Sequence, residues 1–254
     1  DSDVFLLKDI FDIKTAVIMC SAIKKDYGDN IDNFSKNVKM VAHVCKLIET
    51  HPLRRFIYFS SAAVYGEDIH NLNITEKTSI SPTSYYGIAK YASEILLRKA
   101  FESKKENALV IIRPPVIYGP GDKPCYGPSG FVKAALNKET ITLWGDGTEK
   151  REFIFINDAV RLINNLIFNK YSGVLNVASG KSHTFKEIID RISSLIDSKI
   201  EINSRERTKD KVDHEFDNGA LLRVFPEFSF TQLEAGIQKT IDGVKSQEIK
   251  KGIT

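Results

Sequence analysis

A tyrosine and a lysine stand four positions apart in Tyr86-Gly-Ile-Ala-Lys90, downstream of Ser61 in Phe59-Ser-Ser-Ala-Ala-Val-Tyr-Gly66. These three side chains could do chemistry together. A phenol is a poor base in water because its pKa is about 10. An ammonium about 4 Å away, at an effective dielectric of about 20, is worth roughly 4 kcal/mol, or about three pKa units. That shift brings the phenol near neutrality, where it exchanges protons with an alcohol or sugar hydroxyl. A helix delivers the pairing unaided, since residues i and i+4 share a face. With nine tyrosines in a lysine-rich chain, the spacing also arises as a plain exposed pair. Its neighbours must decide.

The elements around the pair are those of an open parallel sheet. Residues 54–61 (RRFIYFSS) read as a buried strand ending in two serines. Ser81-Pro82 predicts a helix start, with Pro in the first turn where its missing N–H costs nothing. Ile88, Ala92, Ile95 and Leu96 give that helix an apolar stripe. Residues 108–112 (ALVII) form a second apolar strand, followed by Arg113-Pro-Pro-Val-Ile-Tyr-Gly-Pro-Gly121. Ligands of such sheets bind beyond the carboxyl ends of the strands, where Ser61 and the Arg113 loop fall.

At this point the chain resembles the extended short-chain dehydrogenase/reductases, in their NAD-dependent epimerase/dehydratase branch acting on nucleotide sugars. Ser60 to Gly66 is similar to the strand end carrying the catalytic hydroxyl, and Tyr86 and Lys90 to the catalytic pair. Arg113 to Gly121 is similar to the strand and loop under the nicotinamide. Leu143-Trp-Gly-Asp-Gly-Thr-Glu-Lys-Arg-Glu-Phe-Ile-Phe-Ile-Asn-Asp158 looks like the substrate-phosphate segment. The resemblance covers nearly the whole chain. It implies cofactor contacts from Ser21, Ala22, Tyr86, Lys90 and Pro114, with NAD as cofactor and NADP not excluded. For the substrate it implies Arg151 and Arg207 on the diphosphate, Trp144 against the base and Asp210 or Asp217 near the ribose. Two departures stand out. Val116 replaces an Asn that many relatives aim at the substrate phosphate, and Met19-Cys20 replaces the commoner His-Leu.

The family's glycine fingerprint is missing: no Gly-x-Gly-x-x-Gly occurs, and the windows opening at Gly119 and Gly145 have Pro124 and Lys150 in its last place. That loop holds the cofactor pyrophosphate at a helix N-terminus. The resemblance therefore implies a fragment lacking the first βαβ unit, roughly 30 residues or more, with a natural protein built without that unit as the alternative. Such a chain is expected to bind NAD weakly or not at all.

Composition fits a soluble cytoplasmic enzyme. At 254 residues the chain can bury one large core or two small ones. A net charge of +3 with scattered basic residues argues against nucleic acid. Cys20, Cys45 and Cys125 fit reduced thiols better than a disulfide frame or zinc site. No apolar run approaches the ~18 residues of a membrane helix.

Helices are expected over 33–49, from Asn157 as cap to about Asn169, and after capping boxes at Thr184–Glu187 and Thr231–Glu234. Strands are expected at Phe153–Ile156, Val174–Val177 and Lys199–Ile202, and a polar loop from Ser204 to Asn218. The fold class is α/β: a Rossmann-like doubly wound parallel sheet, N-terminally truncated, with a smaller α/β substrate-binding lobe. Residues 1–120, joined by about 151–178, form the nucleotide-binding domain; 121–150 and 179–254 form the lobe.

In the resembling dehydratases the two positions after the catalytic hydroxyl are acidic. Here they are Ala62 and Ala63, which transfer no proton, so hydride transfer at a carbinol is left. The reading is a UDP-glucose 4-epimerase-like enzyme, with Tyr86 as acid/base, Lys90 lowering its pKa and Ser61 bonding the reacting oxygen. A keto-sugar reductase using NAD(P)H and a catalytically silent sugar-nucleotide binder stay open beside it. The expected partners are a nucleotide-sugar substrate and a second copy in a homodimer.

Overall fold

The computed structural model of the protein describes residues 3–104, 108–123 and 127–252, so Cys125 and Pro124 lie outside the described residues. After a 3-10 segment, Asp3–Ile10, come β1 (Ala16–Met19), α1 (Ile31–Thr50), β2 (Arg55–Phe59), β3 (Asn71–Ile74) and α2 (Tyr85–Phe101). The middle holds β4 (Leu109–Arg113), β5 (Val116–Tyr118), α3 (Pro128–Leu136), β6 (Ile141–Trp144), β7 (Lys150–Phe155) and α4 (Ile156–Phe168). Then follow β8 (Gly173–Asn176), β9 (Ser182–Thr184), α5 (Phe185–Ile196), β10 (Ile202–Arg205), β11 (His214–Phe216), α6 (Gly219–Val224) and α7 (Leu233–Gly252).

The main sheet is parallel throughout, in the order β1-β2-β4-β8. Its strands read as unbroken apolar runs because both faces are covered. On one face α1 and α2 bring Val41, Leu47, Ile48 and Leu97 against Phe56, Tyr58 and Ile111. On the other, α4 and α6 bring Leu162, Leu166 and Leu221 against Ile57, Val110, Ile112 and Leu175. This is the expected α/β, Rossmann-like doubly wound arrangement. A separate core joins α3, α5 and α7 to β6 and β7, with Phe131 and Phe153 meeting Phe185 edge-on at 6.1 and 5.8 Å.

Several local expectations are corrected. α2 starts at Tyr85, not at Ser81-Pro82, because the Ser84 hydroxyl is the cap and accepts from the Gly87 amide at 3.1 Å. The expected apolar stripe of α2 points outward in part, with Ile88 41% and Ile95 46% exposed. Its buried face instead carries Lys90, Ser93 and Glu94. Asn157 caps nothing; Phe155 precedes α4 without a side-chain cap. The Thr184–Glu187 box forms in full. Thr231 turns its hydroxyl to Asp158 at 2.9 Å instead of capping α7. The strand expected at Lys199–Ile202 lies later, as β10, where Ile202 to Arg205 find partners along Ile141 to Trp144. Ser204 to Asn218 is not all loop either. β11 pairs with β3 inside it, a ribbon too short and polar to show a period.

Candidate active site

The carboxyl ends of β1, β2 and β4 deliver the loops that build the site. Ser60 and Ser61 follow β2, and Pro114 follows β4 with its carbonyl accepting from the Ala62 amide at 2.9 Å. α2 approaches this corner closely. A Cβ on Gly87 would stand 2.7 Å from the Ala63 carbonyl oxygen, so only glycine lets Tyr86 reach Ser61. This brings the Tyr86 phenol up to the Ser61 hydroxyl, on one cavity wall. The Ser61 hydroxyl also accepts from the Ala63 amide at 3.1 Å. Asp29 fixes the start of α2 by accepting from the Tyr86 amide at 3.0 Å.

Lys90 is 4% exposed, donates to the Phe59 carbonyl at 2.6 Å and lies 5.7 Å from the Tyr86 ring centroid. Here one expectation fails. Burial pushes the Tyr86 phenol up to about 12, against the pull of the Ser61 hydrogen bond and with the help of Glu67 and Asp26. Lys90 does not bring it to neutrality, because its ammonium is directed at a backbone carbonyl. Burial in turn pulls Lys90 down to about 8.

That displacement has a measurable sign. The unfolded chain keeps the Lys90 proton to about 10.5, whereas the folded chain gives it up near 8. The unfolded state binds more protons in between, so stability rises with pH across that window. Thermal melts from pH 8 to 10.5 should show wild type gaining on Lys90→Met; parallel curves would refute the assignment.

Ser61, Tyr86, Pro114, Val116, Arg151 and Glu152 line a cavity of about 310 Å³, together with Lys24, Lys25, Asp26, Glu67 and His214. A second, of about 210 Å³, is lined by Trp144, Arg151, Arg207 and Asp210, with Glu67, Glu149 and Lys209. Glu67 and Arg151 belong to both walls, so the two adjoin. Trp144 is 46% exposed and therefore no core residue. Glu149 bridges the arginines: it pairs with Arg151, and its other oxygen meets Arg207 at 2.5 Å. Arg207 lies against Gly145, whose φ of +72° and lack of a Cβ make room for the guanidinium.

Not every expected residue joins. Ser21 and Ala22 lie in the loop after β1, outside both linings, while Lys24 to Asp26 of that loop are inside. Asp217 is turned to the Gly219 amide at 2.9 Å and lines neither cavity. Sequence reasoning missed Glu67, Glu149, Glu152 and His214. Glu149 and Glu152 flank Arg151 in the recognised segment, which was a usable signal; His214 sat in an expected loop.

Beneath the first cavity runs a buried polar chain. Glu94, 0% exposed, accepts from Ser60 at 2.5 Å and from Arg113 at 2.9 and 2.6 Å. Arg113 donates on to the Tyr65 hydroxyl, and Tyr65 to the Asn176 side-chain oxygen Oδ1 at 2.8 Å. This chain ties α2 to β2, β4 and β8 directly under the pair.

The sequence profile of the NAD-dependent epimerase/dehydratase family matches residues 4–178. The chain belongs to that family. Ser61, Tyr86, Lys90, Pro114 and Arg151 of this epimerase/dehydratase chain fall within the matched segment; Arg207 and Asp210 lie beyond it. It is 27% identical to the uncharacterized UDP-glucose epimerase YtcB of Bacillus subtilis, over 57% of this chain and 45% of that protein. It is also 27% identical to a putative UDP-glucose 4-epimerase of Methanocaldococcus jannaschii, over 61% of this chain and 52% of that one. The chain thus spans about half the length of these relatives. Among solved structures it is similar to the UDP-N-acetylglucosamine 4-epimerase of Methanobrevibacter ruminantium in complex with UDP-N-acetylmuramic acid. There the TM-score is 0.80 at 25% identity, over 95% of this chain and 80% of that one. The UDP-glucose 4-epimerase of Thermotoga maritima shares the fold, with TM-score 0.85 at 20% identity over 97% and 83% of the two chains. Among the described residues no helix is long and apolar enough to cross a membrane, and no cluster could hold a metal.

Proposed function

We propose that the protein epimerises a nucleotide sugar at C4, using NAD. The observation that carries this is the continuity of the two cavities. One holds the Ser61–Tyr86 pair beside Lys90, and the other holds Arg207, Asp210 and Trp144, with Arg151 between them. A sugar lies in the first while its diphosphate reaches the arginines, whose forked guanidinium groups suit phosphate oxygens. The structure offers a fitting place for the nicotinamide end: the buried Lys90 amine and the Pro114 loop stand at the strand ends beside Tyr86. NAD, when bound, supplies the hydride acceptor. Working as the phenolate, Tyr86 takes the proton of the reacting hydroxyl and becomes a phenol, then gives the proton back as the product hydroxyl forms, with Ser61 donating to the same oxygen. Lys90, with its pKa near 8, stays largely charged at neutral pH and offsets the charge of that phenolate. We assign residues 1–120, joined by about 151–178, to the nucleotide-binding domain and 121–150 with 179–254 to the substrate-binding lobe, with Ser61, Tyr86 and Arg151 reaching the substrate from the former.

The deciding assay supplies UDP-glucose without reduced cofactor and follows the C4 epimer. Interconversion with no net change in NADH is expected. Turnover that consumes NADH on a keto-sugar would replace this reading with a reductase, and binding without turnover would remove the enzymatic reading.

We further propose a homodimer built on α1 and α2. Tyr85, Ile88 and Ile95 of α2 are 43%, 41% and 46% exposed, an apolar outer face that a second copy would bury in a four-helix interface. Light scattering at micromolar concentration should give twice the chain mass; a monomer would refute it.

A further inference from the structure

We propose that Glu152 is a substrate-positioning residue that selects a neutral sugar, accepting a hydrogen bond from a ring hydroxyl and disfavouring a carboxylated sugar. This rests on the nucleotide-sugar reading above. Glu152 follows Arg151 on β7, is 1% exposed and lines the cavity that holds Ser61 and Tyr86. Its Oε1 atom is committed, accepting the backbone amides of Ser179 and Gly180. Its Oε2 atom is buried and has no hydrogen-bond partner.

Buried polar atoms are nearly always paired, so an unpartnered oxygen on a residue that lines the cavity points to a donor that arrives with a ligand, once the carboxylate turns toward it. A sugar brings several hydroxyl donors. The neighbouring acids are less available. Glu67 is taken by Ser84 at 2.6 Å and Lys25 at 3.3 Å, and Asp26 is solvent-exposed. Ala62 and Ala63 offer nothing. Burial pushes the Glu152 carboxyl up to about 7, against the pull of the Ser179 hydroxyl and of the Ser179 and Gly180 amides, so it is mostly ionised at pH 8.

A carboxylated sugar would add a second negative charge in a cavity of about 310 Å³. At roughly 7 Å and an effective dielectric of about 20, that repulsion weakens binding some tens of fold, so roughly 50-fold. The cations on the wall are already engaged: Lys25 by Glu67, Lys24 by Asp122 at 3.9 Å and Arg151 by Glu149.

The test is calorimetry at pH 8 with NAD present, titrating UDP-glucose and UDP-glucuronate into wild type, Glu152→Gln and Glu152→Asp. Gln keeps an oxygen for the two loop amides but turns an NH2 toward the cavity. Wild type should prefer UDP-glucose. Glu152→Gln should weaken UDP-glucose about tenfold and shift the preference toward UDP-glucuronate by at least that factor, the loss expected for a charge-assisted hydrogen bond. Glu152→Asp keeps the charge and should still disfavour UDP-glucuronate, which tests the proposal even if Glu152→Gln fails to fold. If Glu152 only ties the Ser179–Gly180 loop, both ligands will move together in each variant and the proposal falls. If neither ligand binds wild type, the nucleotide-sugar reading itself falls.

Discussion

Replacing Tyr86 by Phe is expected to cut turnover by about 10²–10⁴-fold, the usual cost of losing a positioned acid/base, and to leave the fold intact. Only the hydroxyl is removed. The ring keeps its place on α2, 5.7 Å from the Lys90 amine. Ser61→Ala should cost less, because it removes a hydrogen bond and not the proton carrier. Rates of UDP-glucose epimerisation, with circular dichroism melts as a control, check both. A Phe variant working near the wild-type rate would show that the proton moves through another group.

Arg113→Met should destabilise the protein by roughly 3–5 kcal/mol, the cost of leaving a buried carboxylate uncompensated. Glu94 is fully buried and receives two hydrogen bonds from the Arg113 guanidinium, which is itself 2% exposed. With Met in place, the Ser60 hydroxyl still donates to that carboxylate, with Arg98 at 3.9 Å and Lys90 nearby, but no forked pair remains. Replacing both partners by apolar residues, as in Glu94→Leu with Arg113→Met, should recover most of the loss. Urea denaturation of the three variants gives the comparison. Loss below about 1 kcal/mol in the single variant would mean that the pair is not the anchor of α2.

The main sheet was legible in the sequence because a strand buried on both faces writes a continuous apolar run, as at Phe56–Phe59 and Leu109–Ile112. The core of the candidate site was legible because Ser61 follows a strand of that sheet and Tyr86 and Lys90 lie on α2, a helix packed against it. α2 was misread on its inner face. The residues it buries include Lys90, Ser93 and Glu94, and no hydrophobic period announces a helix whose inner face is functional. The Lys90–Tyr86 spacing gave proximity, but not the burial of the phenol, and burial is what makes it rise instead of falling. Glu149 and Glu152 were in view but silent, since only folding shows that one acid clamps two arginines and the other keeps an oxygen in reserve. β11 and His214 were hidden because a three-residue ribbon strand carries too little pattern.

The carboxylate of Glu149, spanning Arg151 and Arg207, acts as a built-in counter-ion for the proposed diphosphate. A ligand phosphate therefore gains these guanidinium groups by exchange with a resident anion and not by stripping them of water alone. The gain is smaller than two bare arginines would give, because one favourable pairing is lost as the new one forms. In return, the long side chains are already ordered, and the conformational entropy of aligning them belongs to folding instead of to ligand capture. Such an arrangement favours fast, reversible occupancy over tight retention, which suits a site that must release its product as readily as it took up the substrate.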